Sequence, residues 1–114
     1  MDKKKLGNTG EILAQKYLKK QGYKILEKNY SNKIGEIDLI CYNKKEDCYI
    51  FVEVKTRSSL EFGLPKESVN FHKQNKIRKT SEVYLLYHKL TDKKVQFDII
   101  EVLNDKINHI KNAF

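Results

Sequence analysis

The chain has 114 residues, 39% hydrophobic and 33% charged, with one Pro and five Gly. That is the size of one domain (1–114), leaves no room for a second core and excludes a disordered, aromatic-poor chain. A formal net charge of +8 calls for a polyanionic partner, either nucleic acid or an acidic membrane surface.

The first element expected is a helix from about Asn8 to Gln21. Ile12, Leu13, Ala14, Tyr17 and Leu18 form its apolar stripe, and Gly22 is its stop. Tyr23 to Tyr30 reads as a weaker strand with Tyr23, Ile25 and the stem of Glu27 alternating, closed by the turn signal Ser31-Asn32-Lys33. Gly35 to Tyr42 is a strand with Ile37, Leu39 and Cys41 on one side and Glu36, Asp38, Ile40 and Tyr42 on the other. Asn43 to Asp47 has hairpin length. Cys48 to Lys55 is apolar on both faces, the mark of a strand in the middle of a sheet. Thr56 to Leu64 reads as a loop, and Pro65 opens a long helix to about Lys89, with Val69, Ile77, Tyr84, Leu85 and His88 on its inner side. Val95 to Leu103 is a strand, Asn104-Asp105 a turn, and Ile107 to Phe114 an edge strand. The order α-β-β-β-α-β-β predicts an α/β sandwich, a central mixed sheet flanked by helices.

Charge is unevenly spread along this order. Residues 1–33 carry net +6, residues 34–65 net −2, residues 66–94 net +5 and residues 95–114 net −1. A lysine-rich codon bias would scatter charge, and it does not obviously leave an acidic centre between basic flanks. Basic walls for phosphates around an acidic metal pocket would produce that pattern. No apolar run reaches the length of a membrane span, and Met1-Asp2-Lys3-Lys4-Lys5 leads into no signal-type stretch. Cys41 and Cys48 are too few for a disulfide framework and lack metal-ligand spacing. A cytoplasmic protein of a reducing compartment, without membrane association, is the expectation.

The acidic centre holds the chemistry. Glu53 and Lys55 are two apart on one strand and project together. A hairpin turning about residue 45 pairs positions that sum to about 90 or 91, which sets Asp38 near Glu53. Charges ending an apolar central strand are costly unless paired or metal-bound. Phosphodiester hydrolysis needs a divalent ion held by carboxylates, and a cation for the charge on phosphorus. Asp38 and Glu53 offer the carboxylates, the Val54 carbonyl a neutral oxygen and Lys55 the cation, which suits Mg²⁺ or Mn²⁺. A plain salt bridge at a strand end competes with this reading.

Gly35-Glu36-Ile37-Asp38-Leu39-Ile40 followed by Phe51-Val52-Glu53-Val54-Lys55-Thr56-Arg57 resembles the bacterial YraN family of endonuclease-like proteins. That family is similar to the archaeal Holliday-junction resolvases of the PD-(D/E)xK nuclease superfamily. The resemblance runs from Gly7, Gly10-Glu11 and Tyr17-Leu18 through Phe62-Gly63-Leu64-Pro65 and Lys73 to Phe97-Asp98 and His109-Ile110-Lys111-Asn112-Ala113-Phe114. It implies a restriction-endonuclease-like sandwich, with Asp38, Glu53 and Lys55 at the metal-binding and catalytic positions and Glu11 as an added helix glutamate. Glu11 also fits a capping box with Asn8, and the two readings are not exclusive. Gln96 stands where the family commonly has Arg. Arg57 and Lys66 flank the loop after the catalytic strand and are candidate DNA-backbone contacts. Lys73 is a candidate phosphate contact that competes with a solvated helix face. Tyr42, Tyr49 and Phe62 are candidate base-stacking aromatics, although most aromatics are core. His72, His88, His109 and Asp98 read as structural.

Two functions follow. One is a Mg²⁺- or Mn²⁺-dependent endonuclease acting on DNA, branched or structured DNA included. A homodimer is implied because resolvases of this fold pair to cut two strands. The other is a nucleic-acid-binding adaptor of the same fold without turnover. The sequence leaves open a requirement for a further protein partner.

Overall fold

The computed structural model describes residues 3–57 and 69–114, with side chains from Thr9 onward. Its elements are α1 (Lys3–Lys20), β1 (Tyr23–Ser31), β2 (Glu36–Asn43), β3 (Cys48–Arg57), α2 (Phe71–Tyr87), β4 (Lys94–Leu103) and β5 (Lys106–Ile110). The order is the one expected. The five strands form one mixed sheet in chain order. β1, β2 and β3 make an antiparallel meander, β4 runs parallel to β3 with α2 as the crossover, and β5 returns antiparallel.

Each sheet face buries one helix. Leu39, Cys41, Cys48, Ile50, Val52, Ile100 and Val102 pack with Ala14 and Leu18 of α1. Ile40, Phe51, Phe97 and Ile99 pack with Ile77, Tyr84 and Leu85 of α2. Each fully buried Leu, Ile or Phe of this kind contributes about 1.5–3 kcal/mol. β3 supplies both clusters, as its two apolar faces predicted. Both cysteines are free and buried. No described helix is long and apolar enough to cross a membrane.

Several boundaries differ from expectation. α1 begins by Lys3, because nothing in Lys-Lys-Lys-Leu breaks a helix. Asn8 therefore lies inside the helix and not at its N-cap, the position that the capping-box reading requires. Ile12, placed on the inner stripe by periodicity, is 52% exposed. Gly22 does end the turn after α1, at φ 91, where a Cβ would be strained. In β1 a register shift between Ile25 and Glu27 breaks the simple alternation. Ile37 packs with Ile40 and Phe51, not with Leu39 and Cys41; beyond Leu39 β2 keeps its pairing with β1 and loses that with β3.

α2 starts at Phe71, not near Pro65. Asn70 is its N-cap, in extended conformation, and its side chain accepts the Lys73 N–H at 2.9 Å. Thr80 and Ser81 complete the inner face, and their hydroxyls donate to the carbonyls of Lys76 and Arg78, both at 2.7 Å. His88 caps the end and is exposed. The loop positions 58–64, including Phe62, together with Pro65 and Lys66, lie outside the described residues. β5 stops at Ile110; the Ala113 N–H instead donates to the Phe97 carbonyl at 2.7 Å. Asn104 and Asp105, both at positive φ, form the two-residue turn before it.

Candidate active site

The β2–β3 register follows the expected sum, with Leu39 opposite Val52 and Cys41 opposite Ile50. Past Leu39 the strands part, and Asp38 replaces the lost backbone partner. Its Oδ2 accepts the Val54 N–H at 2.8 Å. This satisfies a buried donor and fixes the carboxylate beside Glu53.

Glu53 is 6% exposed. Its Oε2 lies 3.1 Å from Lys73 Nζ and 3.8 Å from Lys55 Nζ. β3 supplies Glu53 and Lys55 on the face that meets α2, and the first turn of α2 brings Lys73 over them. Asp38, Glu53, Val54 and Lys55 line a cleft of about 650 Å³. One wall is the β1–β2 turn with Lys33; the other is α2 with Lys73 and Lys76. Acid lies on the floor and lysine on the walls.

Burial and the neighbouring Glu53 carboxylate push the Asp38 carboxyl up to about 7. The Val54 N–H pulls the other way and does not win. A hydrogen bond with Glu53 favours the protonated form, and Glu11 adds a weaker push. Lys55 is held below the usual lysine range by burial first and then by Lys73. Burial opposes the charge on Lys73 too. There the hydrogen bond with Lys55 and the carboxylates of Glu53 and Asp38 outweigh it, so Lys73 sits above its ordinary value. Lys73 is the firmer cation of the two.

Glu11 is near without lining the cleft. Gly10 packs on β3 so closely that a Cβ there would collide with Thr56 Oγ1. That contact holds the next residue at the strand's end. Burial raises the Glu11 carboxyl, a hydrogen bond from Asn29 opposes this, and Glu53 raises it further. Asn29 adopts φ 51 within β1.

Arg57 ends β3, half-buried, opposite Leu103 of β4, and is not a lining residue of the cleft. The rings of Tyr42 and Tyr49 pack against each other at the hairpin, centroids 4.8 Å apart and tilted by 46°, and neither lines the cleft. Besides Lys33, two further contributors were not expected. Lys76 reaches the cleft wall. Asn32 ties the β1–β2 turn to α2: its Oδ1 accepts from Ile34 N at 2.9 Å, and its Nδ2 donates to the Tyr30 hydroxyl at 3.0 Å and the Thr80 carbonyl at 3.2 Å. Gly35 completes this latch, since a Cβ there would stand 2.9 Å from Thr80 Oγ1.

Asp98 belongs to a separate buried network, as a fold residue should. It accepts from His109 Nε2 at 2.7 Å, Asn112 N at 3.1 Å and Gln96 Nε2 at 2.9 Å. His109 Nδ1 meets the Tyr17 hydroxyl at 3.0 Å. Gln96 thus has a defined partner at the position where the resemblance expected Arg.

Among the described residues, no three His, Cys, Asp or Glu side chains group as a ready-made metal cage. Asp38 and Glu53 offer two hard carboxylates side by side, a set that Mg²⁺ completes with water and substrate oxygens. A divalent cation would also relieve the crowding of negative charge between them.

The family model described as "Uncharacterised protein family UPF0102" matches residues 10–102. A UPF0102 protein of Caldanaerobacter subterraneus subsp. tengcongensis is 53% identical over 121 residues, covering 100% of this chain and 98% of the relative. One of Clostridioides difficile is 51% identical over 116 residues, covering 100% of both chains. One of Clostridium beijerinckii is 50% identical over 117 residues, covering 97% of this chain and 94% of the relative.

Proposed function

The chain belongs to the UPF0102 family, and we propose that it is a metal-dependent endonuclease that hydrolyses phosphodiester bonds in DNA, branched or structured DNA included. One observation carries this reading: Asp38 and Glu53 adjoin on the floor of a lysine-walled cleft, with Lys55 and Lys73 beside them. The restriction-endonuclease-like superfamily is the framework it rests on.

Asp38 and Glu53 would hold Mg²⁺ or Mn²⁺, with the Val54 carbonyl as a neutral donor. The bound ion would neutralise phosphate charge and lower the pKa of a water. Lys55 faces the charge that grows on the phosphoryl oxygens. Lys73 holds Glu53 in place and contributes fixed positive charge near the phosphate. Glu11 adds negative potential behind Glu53. Lys33 and Lys76 draw the polyanion to the cleft mouth.

A second reading has its own observation. Lys73 at 3.1 Å and Lys55 at 3.8 Å already compensate Glu53, which suits a nucleic-acid-binding adaptor without turnover. Incubation with branched, flapped, single-stranded and duplex DNA, with and without Mn²⁺, separates the two. Asp38→Asn and Lys55→Ala should each abolish cleavage. Cleavage that survives both changes would end the proposal, and metal-independent binding unaffected by either favours the adaptor.

A further inference from the structure

The cleft does not end at its lysine wall. A second hollow of about 330 Å³ is lined by Ile34, His72, Asn75, Lys76 and Lys79. It shares Ile34 and Lys76 with the cleft, so the two hollows adjoin along α2. His72, Asn75, Lys76 and Lys79 recur at helical spacing and make a single stripe.

The stripe is set apart by charge. α2 carries His72, Lys73, Lys76, Arg78 and Lys79 against one acid, Glu82, with no acid in its first turn. Arg78 is engaged elsewhere, its guanidinium 4.8 Å from the Phe97 ring centre and 5.7 Å from that of Phe114. Lys76 and Lys79 stay exposed three residues apart. Like charges at that spacing weaken a helix unless an anion lies between them. The positive end of the helix dipole adds to the field at His72 and Lys73. Phe71, 75% exposed, lies one helical turn before Asn75.

Resting on the nuclease reading for the identity of the polyanion, we propose that this stripe binds the phosphates next to the scissile one on the same strand, with Phe71 as a platform for a base. From Lys73 to Lys79 the helix rises about 9 Å, which accommodates about two further phosphates. The track reads backbone, so it adds affinity without sequence preference.

The test uses the full chain carrying Asp38→Asn, which blocks turnover. Affinity is measured for labelled single-stranded DNA of about four and about fifteen nucleotides, from about 50 to 200 mM salt. Adding Lys79→Gln should lower the slope of log K against log salt by about 0.7 for the long strand and leave the short strand unchanged. Phe71→Ala should weaken the long strand about tenfold with the slope intact. Lys44→Gln, an exposed lysine in the β2–β3 hairpin, is the control for net charge. Equal slopes for Lys79→Gln and Lys44→Gln would overturn the track, whether or not the wild-type chain cuts DNA. A wild-type chain that binds with the expected slopes but never cuts would overturn hydrolysis and leave the track standing.

Discussion

The Asp38 carboxylate takes the hydrogen bond that the Val54 N–H would otherwise give to a strand, at 2.8 Å. The same contact sets the acid beside Glu53, so one side chain both closes the end of a ladder and builds the floor of a cleft.

That juxtaposition makes stability depend on pH. The Asp38 carboxyl sits at about 7 when folded, against about 3.9 when unfolded. The folded state binds the proton more tightly, so stability falls as pH rises from about 4 to about 7. Glu11 shifts in the same direction. Thermal melts of the metal-free protein across that range should show the decline, and Asp38→Asn should flatten it. A decline of equal size in the variant refutes the assignment.

Mn²⁺ should counter the same decline. With Asp38 and Glu53 as ligands, millimolar Mn²⁺ at neutral pH should raise the melting temperature of the wild type and not that of Asp38→Asn. Equal shifts in both would place the ion elsewhere.

Lys73→Met removes the nearer cation from Glu53. The lysine is more than a third exposed, so the loss of stability should be about 1 kcal/mol or less. The larger effect should fall on nucleic-acid affinity. Calorimetric unfolding and filter binding together check both parts.

Gly10→Ala tests the seat of Glu11. Alanine favours a helix by about 1 kcal/mol over glycine, yet the new Cβ would collide with Thr56 Oγ1. A net destabilisation of about 1–3 kcal/mol is expected, relieved in part by Thr56→Ala. Additive effects of the two substitutions in urea melts would contradict a direct contact.

Asp98→Asn should cost about 3 kcal/mol or more, because it unbalances a fully buried acceptor with donors from His109, Gln96 and Asn112. Urea unfolding measures it, and a change under 1 kcal/mol would mean that the network is dispensable.

The hairpin arithmetic was legible in the sequence because strand pairing around a short turn is local. The element order was legible for the same reason. The Asn70 cap was also written locally, but Pro65, which suits a first helical turn, drew the expected start away from it. Ile37 was misassigned because strict alternation presumes a strand paired on both edges, and at Ile37 β2 is paired with β1 alone. The positions of Lys76 and Asn32 could not be read, because both depend on α2 crossing the β1–β2 turn, a contact between segments 48 residues apart (Asn32 to Thr80).

The mixed sheet also orders events during folding. β1, β2 and β3 zip through short turns, whereas β3 and β4 must close a long excursion through α2, which is slower. That order would bring Asp38 to Glu53 before Lys73 arrives to compensate it. Mutational φ-values should be higher in β2 and β3 than in α2 and β4. A chain that folds in that order would bring its two acids together ahead of their nearer counter-charge, so part of the electrostatic relief at the floor of the cleft would come only with the docking of α2.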